Sequence, residues 1–159
     1  MSSLLVKYDA NDTIEFLDNF TDVVYKAKSA GLRRAAKVVK DETISEFKKT
    51  KIKYDPNPKY KDTLIEGIRT SGVIDGDTIK VHVMGTSSPG SGTFRLRFFE
   101  LGTKERYTNT YKGHALKKPR RLGKIKPKRF FETAIGTSEA KASQAFTEAF
   151  DKYIERNNN

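Results

Sequence analysis

The side chains best suited to chemistry are few in this chain. His82 and His114 are its only histidines and cysteine is absent, which excludes disulfides, thiolate metal sites and a cysteine nucleophile. One histidine falls on the polar side of an alternating run and the other in a basic stretch, so a histidine-based triad or metal centre has little material. Asp75-Gly76-Asp77 lacks the ligand number and spacing of a calcium loop and reads as a turn. Gly85 to Gly92 shares only its composition with phosphate-cradling loops. No Gly-Lys-Ser/Thr follows, and the next element reads as a strand, which offers no helix N-terminus to an anion. No catalytic, metal-binding or cofactor-binding residue is assigned, and the expectation is a protein that is not an enzyme.

The chemistry lies in charge. The chain carries a net +11, and Lys104 to Arg129 contains eleven Lys or Arg against one acid, Glu105, a local +10 that leaves only +1 for everything else. A nearly neutral body therefore carries one cationic stretch, a feature that suits a polyanion or an acidic protein surface. The candidate contact residues are Lys104, Arg106, Lys112, Lys117, Lys118, Arg120, Arg121, Lys124 and Lys126. Aromatics interleave with them in Arg106-Tyr107, Tyr111-Lys112 and Lys128-Arg129-Phe130, an arrangement able to stack on bases while neutralising phosphates. The plainer account makes Phe130 and Phe131 core residues and the lysines a solvated loop, and no known nucleic-acid motif accompanies them.

The length, 159 residues, is that of a single domain. Residues 1–12 read as an N-terminal arm or edge strand. From Thr13 to about Lys49 the residues Ile14, Leu17, Phe20, Val24, Ala27, Gly31, Ala35, Val38 or Val39, and Phe47 recur mostly three or four apart, the period of one helix face. The region 13–50 is read as a helical hairpin turning at Ser29 to Gly31, or as one long bent helix, with the hairpin preferred because glycine disfavours helix. Lys51 to Lys61, with two prolines, reads as a loop. Asp62 caps a short turn carrying Leu64, Ile65 and Ile68, and the strands Gly72 to Ile74, Thr78 to Met84 and Thr93 to Glu100 complete region 62–103. Residues 104–126 form a long basic loop or extended hairpin. In region 127–156 an apolar anchor precedes a final helix capped by Ser138, and residues 156–159 are expected to fray. The predicted class is α+β: the helical region, a small antiparallel sheet of three to four strands, a C-terminal helix packed on that sheet, and the basic excursion. No run approaches the roughly 18 apolar residues needed to cross a bilayer.

The order of these pieces carries a resemblance. A helical half, a Leu64 and Ile68 turn, strands, Phe99-Glu100-Leu101-Gly102-Thr103, a variable loop, then Pro127-Lys128-Arg129-Phe130-Phe131-Glu132-Thr133-Ala134 together resemble the tail-completion family of siphophages. In that family a Glu-aromatic-Gly-Thr motif closes a strand, and a Pro-x-Pro-Phe-Leu-x-Pro-Ala type segment opens the last helix. The resemblance spans residues 13 to 155. Leu101 stands where an aromatic is usual, and Arg129 and Thr133 stand where prolines are usual. It implies a structural virion protein at the head-to-tail joint, made in the host cytoplasm and acting by docking. The implied partners are a head-closure or connector ring, a tail terminator, copies of itself in a ring of six, and packaged DNA. A basic nucleic-acid-binding module of other origin is the alternative. Glu100, Leu101, Gly102, Thr103, Pro127, Phe130, Phe131 and Ala134 are read as scaffolding. Gly102 turns the chain, Glu100 and Thr103 bond backbone or basic groups at the loop mouth, and the phenylalanines pin the loop's return.

Overall fold

The computed structural model describes residues 10–52, 63–83 and 91–157, with side chains in the first helix from Asn19 onward. Most of the loop expected over Lys51 to Lys61, the Asp62 cap, Met84 and most of the Gly85 to Gly92 loop lie outside these residues, as does the N-terminal arm up to Asp9. From Ala10 the chain is already helical. One uninterrupted helix, α1 (Ala10–Lys49), runs for 40 residues, about 60 Å at ~1.5 Å per residue. The preferred helical hairpin is therefore corrected, and the reason lies at Gly31. A Cβ on Gly31 would come within 2.7 Å of the Phe146 ring and 3.0 Å of its carbonyl oxygen. The glycine marks the close approach of another helix, and packing there offsets its propensity cost of about 1 kcal/mol.

That other helix is α3 (Phe130–Asn157). Its buried residues Phe130, Ala134, Ser138 and Ala142 recur every four positions, a ridge of mostly small side chains that lets two helices pack closely. On α1 the facing residues Ala27, Ala36, Thr43 and Phe47 are buried. The pair is antiparallel: Phe47 meets Phe130 edge-on with ring centroids 5.1 Å apart at one end, Gly31 meets Phe146 midway, and Tyr25 and Tyr153 line one cleft at the other end. Lys26, near that end, hydrogen-bonds Asp22 at 2.5 Å, which raises its pKa above the usual lysine value. Two expectations change here. The C-terminal helix packs on α1 rather than on a sheet, because its small-residue ridge fits a helix surface. Ser138 is no cap: α3 begins eight residues earlier, and the buried hydroxyl donates back to the Ile135 carbonyl at 3.4 Å. The helix runs on through Asn157.

The remaining body is a small ribbon lying along α1. A 3₁₀ turn, Ile65–Gly67, sits between the buried Leu64 and Ile68, as the spacing of those residues predicts. β1 (Arg69–Thr70) then pairs antiparallel with β2 (Val81–His82) in the register Arg69 with His82 and Thr70 with Val81. Ile74 bridges Thr78 around the expected turn. Asp75 and Gly76 take positive φ there, Gly76 lies beneath the Tyr25 ring, and Asp77 pairs with Lys28. The ribbon's tip thus rests on the first helix.

Thr93 to Glu100 is not a strand. A 3₁₀ turn at Thr93–Arg95 leads into α2 (Leu96–Leu101). The buried residues are Thr93, Leu96 and Glu100, spaced three and four apart, and Phe94 meets Phe98 one turn on at 6.2 Å. The alternation of aromatic and arginine residues mimicked a strand, whereas burial follows the helical period. Among the described residues the strands form two separate two-stranded ribbons, not one sheet. Phe47, Leu64, Ile68, Val83, Leu96 and Phe130 make the core, with Ile44, Ile52, Ile65, Phe99 and Phe131 packed around it. The class is α+β. Among the described residues no helix is long and apolar enough to cross a membrane.

Candidate docking hairpin and its clamp

The basic stretch is an antiparallel hairpin, the second of the two forms left open by the sequence. β3 (Arg106–Tyr111) and β4 (His114–Gly123) are joined by Lys112 and Gly113, which have φ of 51° and 84°. Two successive left-handed residues match the twist of paired strands, and this is why Lys-Gly suffices as a two-residue turn. Pairing starts at Tyr111 with His114 and Thr110 with Ala115, then resumes at Thr108 with Arg120. Asn109 alone therefore faces Leu116 to Pro119, and Pro119, lacking an N–H, falls within this break. Tyr107 pairs with Arg121 and Arg106 with Gly123 near the base.

Both faces of the ribbon are exposed. Only Thr108, Leu116 and Gly123 are half-buried. Arg106, Lys112, Lys117, Lys118, Arg120 and Arg121 project from the ribbon, Lys104, Lys124 and Lys126 flank its base, and all nine are exposed. Arg121 pairs with Glu105. The Arg120 guanidinium lies 5.1 Å from the Tyr111 ring centre and the Lys112 ammonium 5.7 Å from it, so two cations lie within reach of that ring. Tyr107 is 59% exposed and Leu122 51%.

At its base the ribbon is bolted to the body. Glu100 is buried, and its carboxylate oxygens accept the backbone N–H groups of Phe131 at 3.0 Å and Glu132 at 3.2 Å. These are orphan donors in the first turn of α3, where the helix dipole also favours negative charge. Thr103 donates its N–H to the Ile125 carbonyl and accepts the Ile125 N–H on its hydroxyl, both at 3.0 Å. Lys128 donates to the Phe99 carbonyl at 2.8 Å. Gly102 takes φ +75°, and a Cβ there would come within 2.9 Å of the Ile125 oxygen and Pro127 Cδ. The scaffold residues Glu100, Gly102, Thr103, Pro127, Phe130 and Phe131 thus meet at one place. Ala134 is buried one turn on, while Leu101 is 72% exposed. The sequence points to Glu100 bonding at the loop mouth, but with the final helix expected only from Ser138 it gives no sign that this carboxylate caps a helix starting at Phe130. Glu100→Gln is expected to cost roughly 1.5–3 kcal/mol by removing the charge from these hydrogen bonds. Thermal unfolding followed by circular dichroism should show a fall on the order of 5 °C.

The other candidate features stay apart. Lys104, Lys124 and Lys126 line an open cleft of about 400 Å³ with Leu101, Ile125 and Pro127. His82 borders a cleft of about 220 Å³ with Val81, Val83, Arg97 and Phe131. His114 sits at the hairpin turn, on the other ribbon. Among the described residues no three His, Asp or Glu side chains cluster in a way that could hold a metal ion. Compared with protein families, curated proteins and solved structures, the chain returns no match.

Proposed function

We propose that this chain is a structural assembly protein of a tailed phage, of the tail-completion type, that works at the head-to-tail joint by docking rather than catalysis. The observation that supports it best is the rigid mounting of an exposed cationic ribbon on a nearly neutral α+β body. The mounting is made by the residues that carry the siphophage resemblance, Glu100, Gly102, Thr103, Pro127 and Phe130. A ribbon so placed meets an acidic neighbouring ring or the DNA threaded through a channel, and repeating it around a ring of six would multiply its charge.

Antibody labelling of intact virions, viewed by electron microscopy, is expected to decorate the neck. Labelling confined to the capsid or the distal tail would overturn the proposal. The exposed tyrosines beside arginine and lysine favour one second reading, a nucleic-acid-binding module. Duplex DNA binding by the purified chain should then fall roughly a thousandfold or more between 50 and 200 mM salt, the loss typical of six or more neutralised phosphates. Under the neck reading, binding to isolated DNA stays weak across that range.

A further inference from the structure

The ribbon presents rings as well as charge, and two of its rings share one face. Side chains alternate along a strand, so Tyr107 and Tyr111 in β3 project to the same side. Each has a cross-strand companion there, Arg121 opposite Tyr107 and His114 opposite Tyr111. Four residues of strand set the two tyrosines about 13 Å apart, too far for one ring to cover the other. Between them the Thr108 hydroxyl accepts the Thr110 N–H at 3.2 Å and donates to the Thr110 carbonyl at 2.9 Å. This local loop stiffens β3 where its pairing with β4 is broken, and so holds the spacing of the rings. Tyr107 and Tyr111 are 59% and 50% exposed.

We infer that this face of the ribbon is a binding site for single-stranded nucleic acid, with bases laid on Tyr107 and Tyr111 and phosphates met by Lys112, Lys117, Lys118 and Arg120. Stacking on an aromatic ring accepts any base, because every base has a π-face, and the cations beside the rings follow the backbone. Residues 106–123 hold six Lys or Arg and no acid. Glu105, at the ribbon's base, is engaged by Arg121, so no unpaired carboxylate on the ribbon opposes a phosphate. A duplex offers the cations the same phosphates, but its base faces are closed by their own stacking and the tyrosines gain nothing from it. A carboxylate-rich protein surface satisfies the cations and leaves the rings idle. The inference deepens the nucleic-acid reading given above, and rests on it, by naming the strand form bound and the residues that hold the bases.

Fluorescence anisotropy of the full chain tests it with three labelled probes at about 50 mM salt: oligothymidylate of about 15 nucleotides, its duplex with oligoadenylate, and polyglutamate of similar length. The single strand is expected to bind at least about tenfold more tightly than the duplex or the polyglutamate. Duplex bound as tightly as the single strand overturns the inference and leaves the nucleic-acid reading standing. Neither nucleic acid bound, or polyglutamate bound as well as both, removes that reading and the inference with it. Variants then separate rings from charge, with folding confirmed by circular dichroism. Tyr107→Ala with Tyr111→Ala is expected to weaken single-strand binding at least about tenfold and to leave duplex binding within about twofold. Tyr107→Phe with Tyr111→Phe, which keeps the rings, is expected to bind the single strand as the wild type does. Lys117→Gln with Lys118→Gln is expected to lower the binding of both nucleic acids in parallel. Alanine variants that bind the single strand unchanged, or that lose single strand and duplex alike, refute the stacking.

Discussion

Replacing Phe130 with alanine is expected to destabilise the fold by about 3–5 kcal/mol, a large share of the 5–15 kcal/mol typical of a whole domain. Phe130 is 2% exposed, and its ring meets that of Phe47. It is also the first residue of α3, so the substitution empties the core and loosens the ribbon's attachment together. Ile135, 48% exposed on the same helix, provides the control. Ile135→Ala is expected to change stability by no more than about 0.5 kcal/mol. Urea unfolding of both variants checks the pair, and similar losses at the two positions would remove Phe130 from its central place.

The second large effect is expected at Gly102. With φ 75° and ψ −178° this residue occupies a region of backbone space that is essentially reserved for glycine, a strain of about 1–3 kcal/mol for any other residue. An added Cβ would also press on the backbone of Ile125 and the ring of Pro127, atoms that cannot step aside without breaking the Thr103 to Ile125 hydrogen bonds. Gly102→Ala should therefore cost about 3 kcal/mol or more. Gly113 supplies the contrast. Its φ is +84°, yet nothing lies within 4 Å of a Cβ built there, so Gly113→Ala is expected to cost only about 1–2 kcal/mol. Trypsin should cut the lysine-rich ribbon sooner in Gly102→Ala than in Gly113→Ala. The reverse order would separate the ribbon's rigidity from the corner that mounts it.

Some of this architecture was readable from residue types alone. The cationic excursion was legible because charge along a chain can be counted without knowing the fold, and its ends were marked by a glycine corner and paired phenylalanines. The Leu64 and Ile68 turn and the Asp75 to Asp77 reversal were legible from local chemistry. What misled were residues whose local preference opposes their tertiary role. Gly31 reads as a breaker but makes room for Phe146. Ser138 reads as a cap but fills a narrow seam between helices. Phe94 to Phe99 alternates as a strand does, yet a short helix buries Leu96 and Glu100 from it. The Glu100 bonds to Phe131 and Glu132 join positions about 30 apart, and no local pattern announces such a partnership.

The irregular pairing of β3 and β4 also limits how the ribbon recognises anything. An uninterrupted edge invites another strand to extend it through main-chain hydrogen bonds, the route by which exposed edges polymerise. Here the four residues opposite Asn109, Pro119 among them, break β4 midway, and lysines crowd what is left. The excursion is thereby kept from zipping onto its own kind or lengthening a stranger's sheet, and it must grip through side-chain tips.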